Sequence, residues 1–216
     1  MVRTTPVNPT KVVNFEEFVQ WCPEGSTERY ELHGGTVVAM PKPKGKHSQI
    51  AGFLMTELSV EIRRLGLPYF VPRECVVKTG EWSGYEPDVI VLDRQILAGD
   101  GAWERASTVD RSEAVRLVVE VVSGNWSDDY ALKLDAYEGL GIAEYWIVDY
   151  LGLGGRKFIG TPKQPTFSVY SLSDNFSDNL SDKEYAVKQF RGRETIVSSV
   201  FPDLRLRAEE VFGAGA

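Results

Sequence analysis

The most constraining stretch of this chain is Arg116-Leu-Val-Val-Glu-Val-Val-Ser123, a short, strongly β-branched apolar run that contains one acid, Glu120. Such a run is typical of a strand that is buried on both faces of a sheet. A carboxylate inside such a strand is costly to desolvate unless a cation or a metal compensates its charge. Glu120 therefore pairs with a basic group, binds an ion, or lies at the open end of the strand.

The composition excludes several classes of protein. A length of 216 residues, with 43% hydrophobic residues, is enough for one domain with a sizeable core. The net charge of −7 argues against broad, non-specific nucleic-acid binding, although it leaves room for a local basic cleft. Cys22 and Cys75 show neither a disulfide pattern nor metal-ligand spacing, which fits reduced thiols. The chain has no signal-peptide pattern and no membrane-length apolar run, so we expect a soluble, cytoplasmic protein with no membrane partner.

The elements predicted around Glu120 alternate between strands and helices. The strand that contains Glu120 is followed by a helix and then by a second apolar strand, and such a crossover implies a parallel pair. With hairpins on either side, the pattern indicates an α/β (α+β) domain with a mixed sheet. The predicted helices cover residues 14–21, 46–65, 128–138 and 206–212. The predicted strands cover 29–33, 36–40, 86–92, 116–123, 143–149, 166–172 and 184–190, and residues 69–78 are predicted to form one or two strands around Pro72.

The remaining segments complete the predicted organisation. Residues 93–114 and 151–165 are predicted as loops, and the strands at 166–172 and 184–190 are predicted to pair as a C-terminal β-ribbon. We expect one domain over residues 14–212, preceded by a leader at 1–13, with 151–212 forming a β-rich extension of the same domain.

Three acids and one lysine form the candidate site. Asp88 begins an apolar strand, Glu120 lies in the next buried strand, Lys133 lies on the following helix, and Glu31 lies on the N-terminal hairpin. Two carboxylates on adjacent strands can hold a hard divalent cation. A nearby lysine can orient or deprotonate a water, or stabilise charge on a phosphate. Such a set suits phosphodiester hydrolysis.

Taken singly, these residues have ordinary structural interpretations. A Pro-Asp pair such as that at Asp88 is more often a turn, and Lys133 alone is most often a solvated helix charge. His47, at the start of the long helix, is interpreted as a cap or a satisfied core histidine. The order and spacing of the set are therefore more informative than its members.

The same residues resemble a known family. Pro87-Asp88 followed by Val118-Val-Glu120-Val-Val-Ser123 resembles the PD-(D/E)XK motif of the restriction-endonuclease-like superfamily. More closely, the chain resembles the Uma family, a large group of predicted endonucleases that is abundant in cyanobacteria, from about residue 14 to 212. The blocks that carry this resemblance are Tyr30-Glu-Leu-His-Gly-Gly, Glu86-Pro-Asp-Val-Ile-Val, Leu117-Val-Val-Glu-Val-Val-Ser, Asp129-Tyr-Ala-Leu-Lys133-Leu and Glu144-Tyr-Trp-Ile-Val-Asp149.

The resemblance implies a restriction-endonuclease-like fold, with a central mixed β-sheet flanked by helices, and a metal-dependent endonuclease that acts on DNA. It implies that Asp88 and Glu120 are ligands of Mg²⁺ or Mn²⁺ and that the main-chain carbonyl of Val121 completes the coordination. Glu31 would match the acid that many superfamily members supply from an N-terminal element.

Two departures from the motif matter. The motif lysine lies two residues after the acid, where this chain has Val122, and Lys133 on the next helix fits the role instead. The segment Ser123-Gly-Asn-Trp126 stands where many relatives carry Ser-Pro-Ser, a difference that bears on how substrate approaches.

Three hypotheses follow for the function. The first is a Mg²⁺-dependent DNA endonuclease, for which we expect a homodimer, because cutting both strands of a duplex needs two sites. The second is a catalytically inactive nuclease-like module that binds nucleic acid or another protein, as the acidic balance and the missing in-motif lysine favour. The third treats Glu120 and Lys133 as a buried ion pair with a structural role alone, although such pairs contribute little net stability.

Overall fold

The computed structural model describes residues 12–22, 28–173 and 184–214, together with the backbone of residues 5 and 6. The helices are α1 (Phe15–Trp21), α2 (Gly45–Leu65), α3 (Gly101–Ala106), α4 (Lys133–Gly139), α5 (Arg156–Ile159) and α6 (Ala208–Gly213). The strands are β1 (Thr5–Pro6), β2 (Arg29–His33), β3 (Thr36–Met40), β4 (Tyr69–Phe70), β5 (Val76–Gly80), β6 (Ser83–Tyr85), β7 (Val89–Asp93), β8 (Thr108–Val109), β9 (Val115–Val121), β10 (Glu144–Asp149), β11 (Thr166–Leu172) and β12 (Tyr185–Phe190). The predicted leader lies outside the described residues except for residues 12 and 13 and the backbone of β1.

The described strands form two six-stranded sheets, and the strand that contains Glu120, β9, lies inside the central one. The strand order of this sheet is β12-β11-β10-β9-β7-β4. β9 runs parallel to β10 and antiparallel to β7, so the predicted crossover and the mixed character of the sheet are confirmed. The interior position explains the unbroken apolar run. Because the strand is covered on both faces, burial of apolar side chains on either face stabilises the fold.

The two faces of the central sheet pack against different helices. On one face, Val89 and Val119 pack in a cluster with Ile50 and Leu54 of α2. On the other face, Ile90 and Val118 pack with Tyr137 of α4. α2 has the predicted amphipathic spacing and ends at Gly66, which adopts the left-handed conformation (φ 64°) that favours glycine at a helix C-terminus.

The second sheet contains the N-terminal hairpin and has the order β1-β3-β2-β6-β5-β8. The predicted hairpin of β2 and β3 is confirmed, and both glycines of its turn have positive φ. α1 closes one side of this sheet and begins with the predicted capping box between Asn14 and Glu17. Leu32 is buried there against Phe15 and Phe18.

The C-terminal part extends the central sheet. β11 and β12 pair antiparallel, as predicted, and β11 also pairs with β10. Glu144, at the start of β10, is fully buried and accepts hydrogen bonds from Trp146 Nε1 at 2.6 Å and from the Ser199 N–H at 2.6 Å. Glu144, which lies in one of the blocks that resemble the Uma family, therefore anchors the segment after β12 that contains Ser199.

Two predicted loops contain secondary structure. Residues 93–114 include α3 and β8, and residues 151–165 include α5. None of the helices in the described ranges combines the length and hydropathy of a membrane-spanning segment.

Candidate active site

The four side chains predicted as a set line one cleft of about 400 Å³: Glu31, Asp88, Glu120 and Lys133. Glu31 comes from β2 in the second sheet, and Glu120 from β9 in the central sheet. Asp88 directly precedes β7, and Lys133 is the first residue of α4. The structure therefore brings together residues that lie up to 102 positions apart in the sequence.

Asp88 and Glu120 face the same side of the central sheet. In the antiparallel pair, Val89 lies opposite Val119, so continuing this register places Asp88 opposite Glu120. Directly opposed residues project from the same face of a sheet. The Val121 N–H donates to Asp88 Oδ2 at 2.8 Å, which fixes this carboxylate beside the end of β9.

Lys133 bridges the two sheets. Its Nζ lies 2.9 Å from Glu120 Oε1 and 3.0 Å from Glu31 Oε1, and its side chain is only 5% exposed. Burial by itself lowers the pKa of Lys133, but the neighbouring carboxylates, Glu120 first, raise it well above its ordinary value. The lysine is therefore a buried ammonium whose charge the neighbouring carboxylates favour.

A π-helical turn places Lys133 in the cleft. Residues Asp128–Leu132 form this turn, where the sequence predicted a regular helix from 128 to 138, and the Lys133 N–H donates to the Asp128 carbonyl. Single π turns change the phase of a helix and are frequent at functional sites.

The two carboxylates that share Lys133 have opposite pKa shifts. Burial raises the pKa of both acids. For Glu31, Lys133 and His33 overcome this effect and lower the pKa to about 2. For Glu120, the attraction of Lys133 is insufficient against burial and the charges of Asp88 and Glu31, and the pKa rises to about 7. Glu120 is therefore the acid of this pair with the less compensated charge.

Asp88 is held by basic groups that sequence reasoning did not place in the site. His47 Nε2 lies 3.2 Å from Asp88 Oδ2, and Arg29 Nη1 lies 3.3 Å from Oδ1. Burial raises the pKa of Asp88, but these two groups and the Val121 N–H lower it to about 2. Arg29 and His47 are far from Asp88 in the sequence, so no local sequence pattern could predict these contacts.

His47 is neither the cap of α2, whose N-cap residue is Lys44, nor a satisfied core histidine, so that interpretation was wrong. Its ring contacts Asp88 through Nε2, while Nδ1 is buried with no hydrogen-bond partner among the described residues. Burial lowers the pKa of His47, but Asp88 and Glu120 raise it above its ordinary value. His47 is therefore a basic component of the cleft.

Asp129 is a further acid of the cleft that sequence reasoning treated only as a favourable charge in the first turn of a helix. It is 7% exposed and lines the cleft. Burial, together with the charges of Glu120 and Asp88, raises the pKa of Asp129 well above its ordinary value, although Lys133 opposes this. Its spacing of four residues from Lys133 was the available sequence signal, since such pairs share a helix face.

The donor chemistry of the cleft fits a hard divalent cation. The implied ligands are the carboxylates of Asp88 and Glu120 and the carbonyl of Val121, all oxygen donors of the type that Mg²⁺ prefers. The described ranges contain no cluster of three or more His, Cys, Asp or Glu side chains arranged to hold a metal, and the implied set has two carboxylates. The raised pKa of Glu120 reflects negative charge that a cation would compensate.

Comparisons with known proteins show the family and the fold of the chain. The chain matches the family described as "Uma2: Putative restriction endonuclease" over residues 15–209. A crystal structure described as "a putative nuclease belonging to DUF820 from Anabaena variabilis" is similar, with 18% identity and a TM-score of 0.67, over 93% of this chain and 98% of that chain. No curated protein matches the chain. The structural likeness shows the restriction-endonuclease-like fold, and the match over nearly the whole sequence shows that the chain belongs to the Uma2 family of putative restriction endonucleases.

Proposed function

We propose that this protein is a metal-dependent endonuclease that hydrolyses phosphodiester bonds of DNA. The observation that carries the proposal is the convergence of Glu31, Asp88, Glu120 and Lys133 from four separate segments of the chain on one cleft. A structural Glu120–Lys133 ion pair would not account for two further, largely buried acids beside it, Asp88 and Asp129. The raised pKa values of Glu120 and Asp129 show that the cleft disfavours their ionised forms, and buried acids perturbed in this way cluster at functional sites.

Different residues of the cleft would bind the metal and stabilise charge on the phosphate. Asp88, Glu120 and the Val121 carbonyl would hold Mg²⁺ or Mn²⁺. Bound there, the cation would supply Lewis-acid stabilisation of the phosphate and a lower pKa for a bound water. Because nearby carboxylates keep Lys133 protonated, its ammonium serves to counter negative charge on the phosphate rather than to accept a proton.

Glu31 acts in this proposal as a positioning residue. It accepts from Lys133 Nζ and from the Glu86 N–H at 3.2 Å, and His33 Nε2 lies 2.8 Å from its other oxygen. These contacts fix Glu31, and Glu31 in turn fixes the ammonium of Lys133 beside Glu120.

The alternative is a nuclease-like scaffold that binds nucleic acid or protein and does not cut. One feature favours it: the ligand oxygens are already engaged, with Asp88 contacted by His47, Arg29 and the Val121 N–H, and Glu120 by Lys133. A bound cation would have to displace some of these contacts, whereas a catalytically inactive protein would keep them.

A cleavage assay separates the two functions. The purified chain is incubated with single- and double-stranded DNA and RNA, in Mg²⁺, in Mn²⁺ and in EDTA. Cleavage of DNA that needs the metal and is lost in Asp88→Asn, but kept in the matched surface variant Asp110→Asn, supports the endonuclease. Retained cleavage in Asp88→Asn points to a contaminating nuclease, and metal-independent binding without cleavage supports the inactive scaffold.

The assembly and location are part of the same proposal. Cutting both strands of a duplex needs two sites, so the homodimer goes with a duplex substrate, and light scattering measures it directly. A cytoplasmic location fits a DNA substrate and two free cysteines, Cys22 and Cys75.

A further inference from the structure

Two segments stand out as basic in a chain of net charge −7. Residues 32–56 and 150–173 contain no aspartate or glutamate, and they are the longest such stretches in the sequence. The basic residues that they carry, besides two histidines, are Lys42, Lys44, Lys46, Arg156, Lys157 and Lys163. A local excess of positive charge on an acidic protein indicates a polyanionic ligand at that place.

Both segments contribute to the rim of the cleft that holds the candidate active site. The loop from Met40 to Lys44 lines one side, and its lysines are exposed. Leu151 and Leu153 line the cleft from the second segment, and Lys163 Nζ donates to the Leu153 carbonyl at 2.9 Å. The cleft therefore has an acidic floor and positive charge on its rim.

Half-buried aromatic rings accompany the lysines of the second segment. Trp126 directly follows the cleft-lining residues 123–125 and packs closely on Gly155, where a Cβ would lie 3.2 Å from its ring. Lys163 Nζ lies 5.7 Å from the Trp126 ring centroid, and Lys157 Nζ lies 4.5 Å from that of Phe158. Aromatic rings beside cations are the arrangement that proteins use to bind unpaired nucleic acid, because every base can stack on a ring.

The candidate active-site residues lie deep in the cleft, which restricts whether a single strand or a duplex can reach them. The side chains of Glu31, Glu120 and Lys133 are at most 5% exposed, and that of Asp88 is 9% exposed. A scissile phosphate must therefore descend into a cleft of about 400 Å³, which is the size of a small-molecule site. A single strand with splayed bases can bring one phosphate to this depth more readily than a base-paired duplex, whose phosphates are held on a regular helix.

We propose, on the basis of the endonuclease function above, that this rim binds one unpaired nucleic-acid strand. Lys42 and Lys44 contact phosphates on one side of the cleft, Lys163 contacts them on the other, and Trp126 stacks on a base. Lys157 lines the neighbouring cavity with Phe158 and Tyr130, and it continues the path of positive charge beyond Lys163. One copy of the chain is then sufficient for cleavage, so the homodimer is not required on this substrate.

Fluorescence anisotropy tests the proposal with the full chain in EDTA, which prevents metal-dependent cleavage. The ligands are a labelled single-stranded oligonucleotide and the same sequence as a duplex. Lys42→Gln/Lys44→Gln and Lys157→Gln/Lys163→Gln remove two charges from each side. Lys188→Gln/Arg205→Gln is the matched control, because it removes two exposed charges outside the rim.

The parent protein should bind the single strand more tightly than the duplex. Each rim double variant should make the decrease of log K with log salt less steep by about 1.4. Each phosphate of a single strand that a basic side chain neutralises contributes about 0.7 to the magnitude of this slope. Trp126→Leu, which keeps an apolar side chain against Gly155, should weaken single-strand binding about 5- to 150-fold, the range for loss of one stacked base.

The outcomes separate this inference from the proposed function. If the parent protein binds no nucleic acid in EDTA, the rim proposal is wrong, and the cleavage assay alone decides the endonuclease proposal. If it binds but the rim variants behave like the control, or only one side matters, the rim proposal is wrong and the endonuclease proposal stands. Equal affinity for duplex and single strand overturns the unpaired-strand assignment. Circular dichroism checks folding; if Trp126→Leu is unfolded, the exposed double variant Lys42→Gln/Lys44→Gln decides.

Discussion

Replacing Glu120 by Gln and Asp88 by Asn, in the absence of metal, should change the stability of the fold in opposite directions. Burial and neighbouring carboxylates raise the pKa of Glu120 to about 7, above its ordinary value of 4.5. His47 and Arg29, with the Val121 N–H, lower the pKa of Asp88 to about 2, below its ordinary value of 3.8. The fold therefore disfavours ionised Glu120 and favours ionised Asp88.

The magnitudes follow from these pKa values. Between pH 4.5 and about 7, Glu120 is ionised in the unfolded chain but protonated in the fold, so stability falls as pH rises through this window. Above it, the carboxylate costs about 3 kcal/mol, which a glutamine avoids while Lys133 keeps Glu31 as its partner. Ionised Asp88 contributes about 2 kcal/mol, which is present above pH 3.8 and lost as pH falls through about 2.

Urea unfolding in EDTA at about pH 5 and about pH 8 measures both effects. At the higher pH, Glu120→Gln should be about 3 kcal/mol more stable than the parent, and this gain should shrink to about 1 kcal/mol at the lower pH. Asp88→Asn should be about 2 kcal/mol less stable at both. The surface variant Asp110→Asn is the control for loss of one charge. A Glu120→Gln protein that is less stable at the higher pH would refute the reasoning, because Glu120 and Lys133 would then be a stabilising structural pair.

Three other predictions concern metal, the lysine and the C-terminal anchor. Mg²⁺ should raise the melting temperature of the parent protein and not that of Asp88→Asn, since a ligand stabilises only the state that binds it; equal shifts would place the metal elsewhere. Lys133→Ala should lower the cleavage rate by about 10² or more while calorimetry shows Mg²⁺ binding retained, because the lysine is not a ligand; parental cleavage would exclude its role. Glu144→Gln should lower the free energy of unfolding by about 2 kcal/mol, since the buried carboxylate loses charge-assisted bonds from Ser199 and Trp146; an unchanged melting curve would show that these bonds are not stabilising.

The parts of the fold that sequence predicted are those fixed by local patterns. The helical spacing of Ile50, Leu54 and Leu58 predicted α2, and the buried run around Glu120 predicted an interior strand. The two glycines at 34 and 35 predicted the hairpin turn. In each case the pattern reports directly which face of an element meets the core.

The second sheet could not be predicted in the same way. β6 and β8 have three and two residues, too few to show alternation. Their pairing depends on distant partners: Leu32 lies opposite Gly84, and Val76 opposite Thr108. Gly84 is required because a Cβ there would lie 2.4 Å from the Phe15 ring, a constraint that appears only once α1 has packed on the sheet.

The position of the lysine follows from this two-sheet architecture. Alternation places Val122 on the same face as Glu120, and there the valine is fully buried in a cluster with Tyr137 and Ile147. A lysine at position 122 would extend from this apolar cluster, where burial of a charge is costly. From the first residue of α4, Lys133 instead contacts Glu120 of the central sheet and Glu31 of the second sheet at once. Because the two acids belong to different sheets, the constellation forms only when both sheets have packed, which is why short-range spacing alone could identify its members but not their joint geometry.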